Sequence, residues 1–184
     1  AELTDDYGTL DSSVFMSQPL EGGEECQFKI EPSEMTSSVL LIFDELSIIT
    51  AELFVYQGNS ASSDNLLWSC TRCDSVLPPP LLSEEGGAYM TFRSPNSEFS
   101  NFRIHYLSYS DNLNGGRRSL SMLMSLGWLA LPRTANGKHP PKNLEMKWTI
   151  GPLDCDDCQL TLMLEELALA SGDEMRVYEG TIED

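Results

Sequence analysis

The stretch Cys26-Gln-Phe28-Lys-Ile30-Glu-Pro32 returns 120 residues later as Met146-Lys-Trp148-Thr-Ile150-Gly-Pro152, with an aromatic, an isoleucine and a proline at the same steps. Two more matches follow in the same order. Phe43-Asp-Glu-Leu46-Ser-Ile48 lines up with Leu164-Glu-Glu-Leu167-Ala-Leu169 at an offset of 121. Ala51-Glu-Leu-Phe-Val55-Tyr56-Gln-Gly58 then matches Asp173-Glu-Met-Arg-Val177-Tyr178-Glu-Gly180 at an offset of 122. Upstream, Tyr7-Gly8-Thr-Leu10 echoes Leu126-Gly127-Trp-Leu129. Matches in one order at nearly constant spacing define an internal repeat of roughly 120 residues. The 184-residue chain holds one copy and the first half of a second.

Gly and Pro clusters punctuate the chain at Gly22-Gly23, Pro78-Pro79-Pro80, Gly86-Gly87, Gly115-Gly116 and Pro140-Pro141. Between them lie short apolar runs, Val39–Phe43, Leu53–Tyr56, Ala88–Phe92 and Phe102–Tyr106. Short strands with frequent turn signals predict an all-β fold, an antiparallel β-sandwich repeated along the chain. Two segments stay ambiguous between strand and helix, residues 120–131 and Leu160–Ala170. The expected organisation is a first domain over 1–112, a short linker over 113–124, and the first part of a second domain over 125–184. A half sandwich leaves strand edges and a core face uncovered, so the chain is expected to be a window on a longer polypeptide.

Charge narrows the possible partners. The net charge is −18, which argues against nucleic acid, because phosphate binding needs a cationic surface. Residues 1–100 carry 17 acidic and 3 basic side chains, and residues 148–184 carry 10 and 1. Residues 101–147 reverse the balance, with 7 basic and 2 acidic. That basic segment makes Arg117, Arg118, Arg133, Lys138, Lys142 and Lys147 candidates for contacts with acidic neighbours, another copy of the chain included. The longest nearly apolar stretch, Leu120 to Leu131, is too short to span a bilayer.

In their order along the chain, these motifs resemble the CUB domain, an extracellular β-sandwich module with jelly-roll topology. Cys26-Gln-Phe28-Lys-Ile30 is similar to the family's Cys-x-Trp-x-Ile strand, and Trp148-Thr-Ile150 is a second likeness with Met146 in place of the cysteine. Val55-Tyr56-Gln-Gly58 and Val177-Tyr178-Glu-Gly180 resemble its Val-Tyr-Asp-Gly turn. Tyr89-Met-Thr-Phe92-Arg-Ser94 and Asn101-Phe102-Arg-Ile-His-Tyr106 resemble its two closing strands. The resemblance implies a calcium site in many members, but the matching positions of the first copy are Ile49, Ala51 and Pro95. In the second copy Asp173 alone matches, with Ala170 where a glutamate belongs. One carboxylate does not hold calcium, so no metal or other cofactor is expected.

Five cysteines, Cys26, Cys70, Cys73, Cys155 and Cys158, are disulfide candidates, and their odd number leaves one without an internal partner. The resemblance implies that Cys26 pairs with a cysteine near the start of its domain, a place at or before Ala1. For Cys70-Thr-Arg-Cys73 and Cys155-Asp-Asp-Cys158 three uses stay open: disulfides, zinc and redox chemistry. Zinc wants four converging thiolates, and a redox pair wants a βαβ setting. An extracellular β-module favours disulfides.

Catalytic signals are absent from the sequence. His105 is expected on an exposed strand face and His139 in a loop. Asp44-Glu45 and Glu165-Glu166 recur at one repeat position, as a solvated strand end would. No nucleophile elbow, phosphate loop or metalloprotease helix occurs. The expected function is a noncatalytic extracellular module for protein–protein interaction within a tandem-repeat cell-surface or matrix protein, self-associating head to tail. Two alternatives stay open: accessory domains of a larger secreted protease, and a carbohydrate- or ligand-binding receptor module. The last predicts an exposed aromatic patch from Trp68, Trp128 and Trp148.

Overall fold

The computed structural model describes residues 1–15, 24–32, 38–73, 76–84, 86–94, 100–109, 116–123, 127–131, 143–151, 160–164, 169 and 171–179. Its strands are β1 (Glu2–Leu3), β2 (Tyr7–Asp11), β3 (Glu24–Ile30), β4 (Ser38–Ser47), β5 (Glu52–Gln57), β6 (Leu66–Thr71), β7 (Leu81–Ser83), β8 (Ala88–Ser94), β9 (Asn101–Tyr109), β10 (Gly116–Leu123) and β11 (Leu144–Gly151). The helical pieces described are one turn at Ser12–Phe15 and a 3₁₀ turn at Ser63–Asn65.

Among the described residues, nine strands build the first unit as two sheets, β1-β3-β8-β5-β6 and β2-β9-β4-β7. Alternation decides which side chains meet between them. From the first sheet come Phe28, Ile30, Leu53, Val55, Met90 and Phe92; from the second come Leu10, Val39, Leu41, Phe43, Ile104 and Tyr106, all buried in one core. Phe102 joins the sheets, meeting Phe28 edge-on at 5.7 Å between ring centroids and Phe92 at 5.5 Å. The turn after Val55-Tyr56 closes because Gly58 takes φ +74°, a conformation that costs other residues a steric clash. This is the antiparallel sandwich that the sequence predicts, with one departure. β1 runs parallel to β3, since the chain crosses to the other sheet for β2 before it returns.

The second unit repeats that departure. β10 runs parallel to β11, pairing Met122 with Ile150 as β1 pairs Leu3 with Ile30. β11 is the copy of β3 at an offset of 120, and β10 takes the place of β1. β10 also falls within 113–124, the stretch read from sequence as a linker. Leu160 to Leu164, ambiguous by periodicity, are described as neither helix nor strand and are exposed.

Candidate interaction surface

β4 is apolar on both faces. Val39, Leu41 and Phe43 point into the core, while Leu40 and Ile42 point outward and are still only 6% and 2% exposed. An antiparallel sheet with one solvated face alternates apolar and polar residues, so this outer face needs a cover. The second unit supplies it: Leu129, Ala130, Trp148 and Ile150 pack on Leu40 and Ile42, with Leu82 of β7 at the margin. The indole N–H of Trp148 is buried there and has no acceptor among the described residues.

Beside this apolar strip lies a polar cluster built by a β-bulge. β4 and β9 pair Phe43 with Ile104 and then Glu45 with Arg103, which leaves Asp44 as the extra residue. The bulge turns Asp44 toward β9, onto the outward-facing Arg103 and His105. Arg103 Nε donates to Asp44 Oδ1 at 2.8 Å, and its Nη2 lies 3.0 Å from Glu45 Oε2. His105 Nε2 lies 2.9 Å from Asp44 Oδ2, and its Nδ1 lies 2.9 Å from the Thr9 hydroxyl on β2. A carboxylate oxygen accepts, so the contact with Asp44 is donated from His105 Nε2, and the Thr9 hydroxyl shares the hydrogen bond at Nδ1. Burial works against the Arg103 charge, but Asp44, Glu45 and Asp11 outweigh it and raise its pKa.

Two expectations are corrected here. His105 is 4% exposed rather than on an open strand face, because the second sheet's outer face is covered. Asp44-Glu45 is not a solvated strand end, since the bulge sends Asp44 inward to a side-chain exposure of 1% and leaves Glu45 at 41%. An unalternating run of five apolar residues, Val39 to Phe43, is the sequence signal for a doubly covered sheet.

The basic candidates divide. Arg117 and Arg118 lie on β10, in register with Glu145 and Met146, and Lys147 is half-buried on β11 opposite Ser119. Arg133, Lys138 and Lys142 lie outside the described residues, as do Cys155 and Cys158. A disulfide joins Cys70 to Cys73, and Cys26 is half-buried on β3 in register with Phe92. Asp173 is exposed beside Gly172, and among the described residues no group of His, Cys, Asp or Glu is placed to hold a metal ion. Trp68 packs on Phe43 at 5.2 Å and Trp128 is 37% exposed. Sequence reasoning missed a different aromatic set: Phe54, Tyr56 and Tyr89, half-buried on neighbouring strands with successive ring centroids 6.3 Å apart.

No protein-family model matches the chain, and no curated protein matches it. Among solved structures it is similar to the MASP-1 CUB2 domain bound to Ca2+, at 20% identity and a TM-score of 0.44, covering 58% of this chain and 96% of that one. It is also similar to the CUB1-EGF-CUB2 domains of rat MASP-1, at 21% identity and a TM-score of 0.45, covering 60% and 42%. A third likeness is to the full extracellular region of zebrafish Gpr126/Adgrg6, at 17% and 0.44, covering 59% and 14%. The chain thus spans nearly all of the single domain and under half of the longer ones. No helix among the described residues is long and apolar enough to cross a membrane.

Proposed function

We propose that the chain is a noncatalytic, extracellular CUB-like module that joins protein chains, working in tandem within a cell-surface or matrix protein. The observation that carries this reading is the doubly apolar β4, whose outer face receives the second unit through Trp148 and Ile150. A surface built to be covered by a neighbouring unit suits an array, in which each repeat contacts the next. The first unit corresponds to 1–112, and the second, read from 125, takes β10 as its opening strand.

Head-to-tail association completes the proposal. The basic 101–147 segment lies between two acidic ones, and complementary charge fixes the order in which units meet. Surface charges more than about 10 Å apart are largely screened at 0.1 M salt. Sedimentation velocity at rising concentration is therefore expected to show reversible self-association at low ionic strength that weakens as salt is added. A chain that stays monomeric throughout, or associates equally at all salt concentrations, would remove the electrostatic head-to-tail mechanism.

A further inference from the structure

The sheet β1-β3-β8-β5-β6 turns one face away from the core, and alternation along its strands decides what that face carries. Leu53, Val55, Met90 and Phe92 enter the core, so Phe54, Tyr56, Tyr89 and Thr91 point outward between them. Register arranges the outer face in rows. Lys29, Tyr89, Tyr56 and Leu66 stand side by side on four neighbouring strands. Gln27, Thr91, Phe54 and Ser69 form the next row, and Glu25, Arg93 and Glu52 the one after. The rings of Phe54 and Tyr56 lie 20° from parallel with centroids 6.3 Å apart, and Tyr89 sets a third ring 6.3 Å from Tyr56. All three are half-buried and Leu66 is 42% exposed, so neighbours hold the strip in place while it still meets solvent.

Charge selects the occupant. Residues 1–100 carry 17 acidic and 3 basic side chains, and two of those three, Lys29 and Arg93, lie on this face. Arg93 stands between Glu25 and Glu52, and Lys29 Nζ lies 2.6 Å from Glu31 Oε1. The acidic field of the unit repels an anionic partner, while the two cations beside the rings disfavour a cationic one. A neutral ligand meets neither penalty. We infer that this aromatic face binds a neutral oligosaccharide chain of equatorially substituted pyranose rings. Each such ring has an apolar C–H face and a rim of hydroxyl groups. The C–H faces stack on Tyr56, Tyr89 and Phe54, and the hydroxyls reach the two phenols and the exposed Gln27 and Ser69 at the ends of the Phe54 row. A sheet face does not enclose a single small molecule as a pocket does, so affinity has to build up over several sugars of one chain. The inference does not depend on whether the chain self-associates through its charges.

The test titrates two neutral β-linked probes, cellohexaose and N-acetylchitohexaose, into the 184-residue chain by isothermal calorimetry. At least one is expected to bind saturably, with an affinity that stays constant as salt is raised, because no ion pair forms. Self-association through charge weakens with salt, so either reading can fail without the other. Tyr56→Ala and Tyr89→Ala should each weaken the sugar about tenfold, the worth of one lost ring contact. Tyr56→Phe keeps the ring and should bind like the native chain. Urea unfolding checks that the variants stay folded. Saturation-transfer NMR on the native chain reads the contact without any variant, and the ring C–H protons of the sugar should take up more saturation than its exocyclic CH2 protons. Three outcomes would each overturn the proposal: no binding of either hexasaccharide, folded ring variants that bind as the native chain does, or tighter binding of a heparin hexasaccharide. Binding of octalysine that is lost in Tyr56→Ala, with the sugars unbound, would assign the face to a cationic protein segment instead.

Discussion

Phe28 and Trp148 occupy the same step of the repeat and meet different surroundings. Phe28 is 2% exposed, with Phe102 edge-on to it and Met90 opposite in the next strand. Trp148 is half-buried and rests on the outside of the other unit's sheet. Strand formation and the parallel partner are the same in both places, β1 with β3 and β10 with β11. Strand formation depends on sequence close at hand. Deep burial depends on distant strands, and β8 and β9, which close the first core, have no described counterpart beside β11. Leu160, Leu162 and Leu164 make the same point: they match the core positions Val39, Leu41 and Phe43, yet are 46%, 45% and 62% exposed.

The largest expected effect tests that contrast. Phe28→Ala removes a fully buried ring from a closed core and is expected to cost about 3–5 kcal/mol. Trp148→Ala removes a larger side chain from a half-open face and is expected to cost about 1–2 kcal/mol, in line with partial burial. Urea unfolding of the two variants measures both. Equal losses would break the comparison, because they would place Trp148 in a core as complete as that around Phe28.

Asp44 sharpens the comparison from the polar side. Asp44→Ala strands Arg103 and the Nε2 proton of His105 without their shared acceptor, and removing one partner of a buried pair costs about 3 kcal/mol. Arg103 keeps some access to water, so the loss should fall below that of Phe28→Ala. Thr9→Val deletes a single neutral hydrogen bond and should cost only about 1 kcal/mol. If Asp44→Ala proves as mild as Thr9→Val, the cluster is solvated and the buried network is not what holds that corner together.

How much of this was legible in the sequence follows the same division. The repeat, the strand runs and the sandwich could be read because alternation and turn residues are local signals, and Phe102, Ile104 and Tyr106 all enter the core as their spacing predicts. The parallel pairs could not, because pairing direction depends on where the chain returns after crossing between sheets. The outer-face site was hidden for two reasons. A bulge moves one residue, Asp44, out of the alternation that strand patterns assume. The cover over Leu40 comes from Leu129, Ala130, Trp148 and Ile150, far along the chain, with no motif to link them. Phe54, Tyr56 and Tyr89 carry no local signal of their grouping, because the pairing that sets the two tyrosines opposite one another joins strands far apart in the chain.

The smallest effect separates a residue of the closed core from the rest by its proton. Tyr106 is 3% exposed, and a Cβ placed on Gly8 would come within 2.7 Å of its hydroxyl oxygen. Burial, and secondarily the carboxylate of Asp5, raise the pKa of this phenol. In the unfolded chain it titrates near its ordinary value of about 10. Above that pH and up to its higher folded value, the folded protein keeps a proton that the unfolded chain releases. Its contribution to stability is therefore complete below about pH 10 and declines as pH rises further. Tyr106→Phe keeps the ring and removes the ionisation, so its urea midpoint should fall less steeply with alkaline pH than that of the native chain. Tyr89 and Lys29 are also raised, by burial and by the Glu31 hydrogen bond respectively, and leave part of the slope in place. An unchanged slope in Tyr106→Phe would mean that the phenol meets water in the folded state, and the first unit's core would be as open at Gly8 as the second unit's is at Trp148.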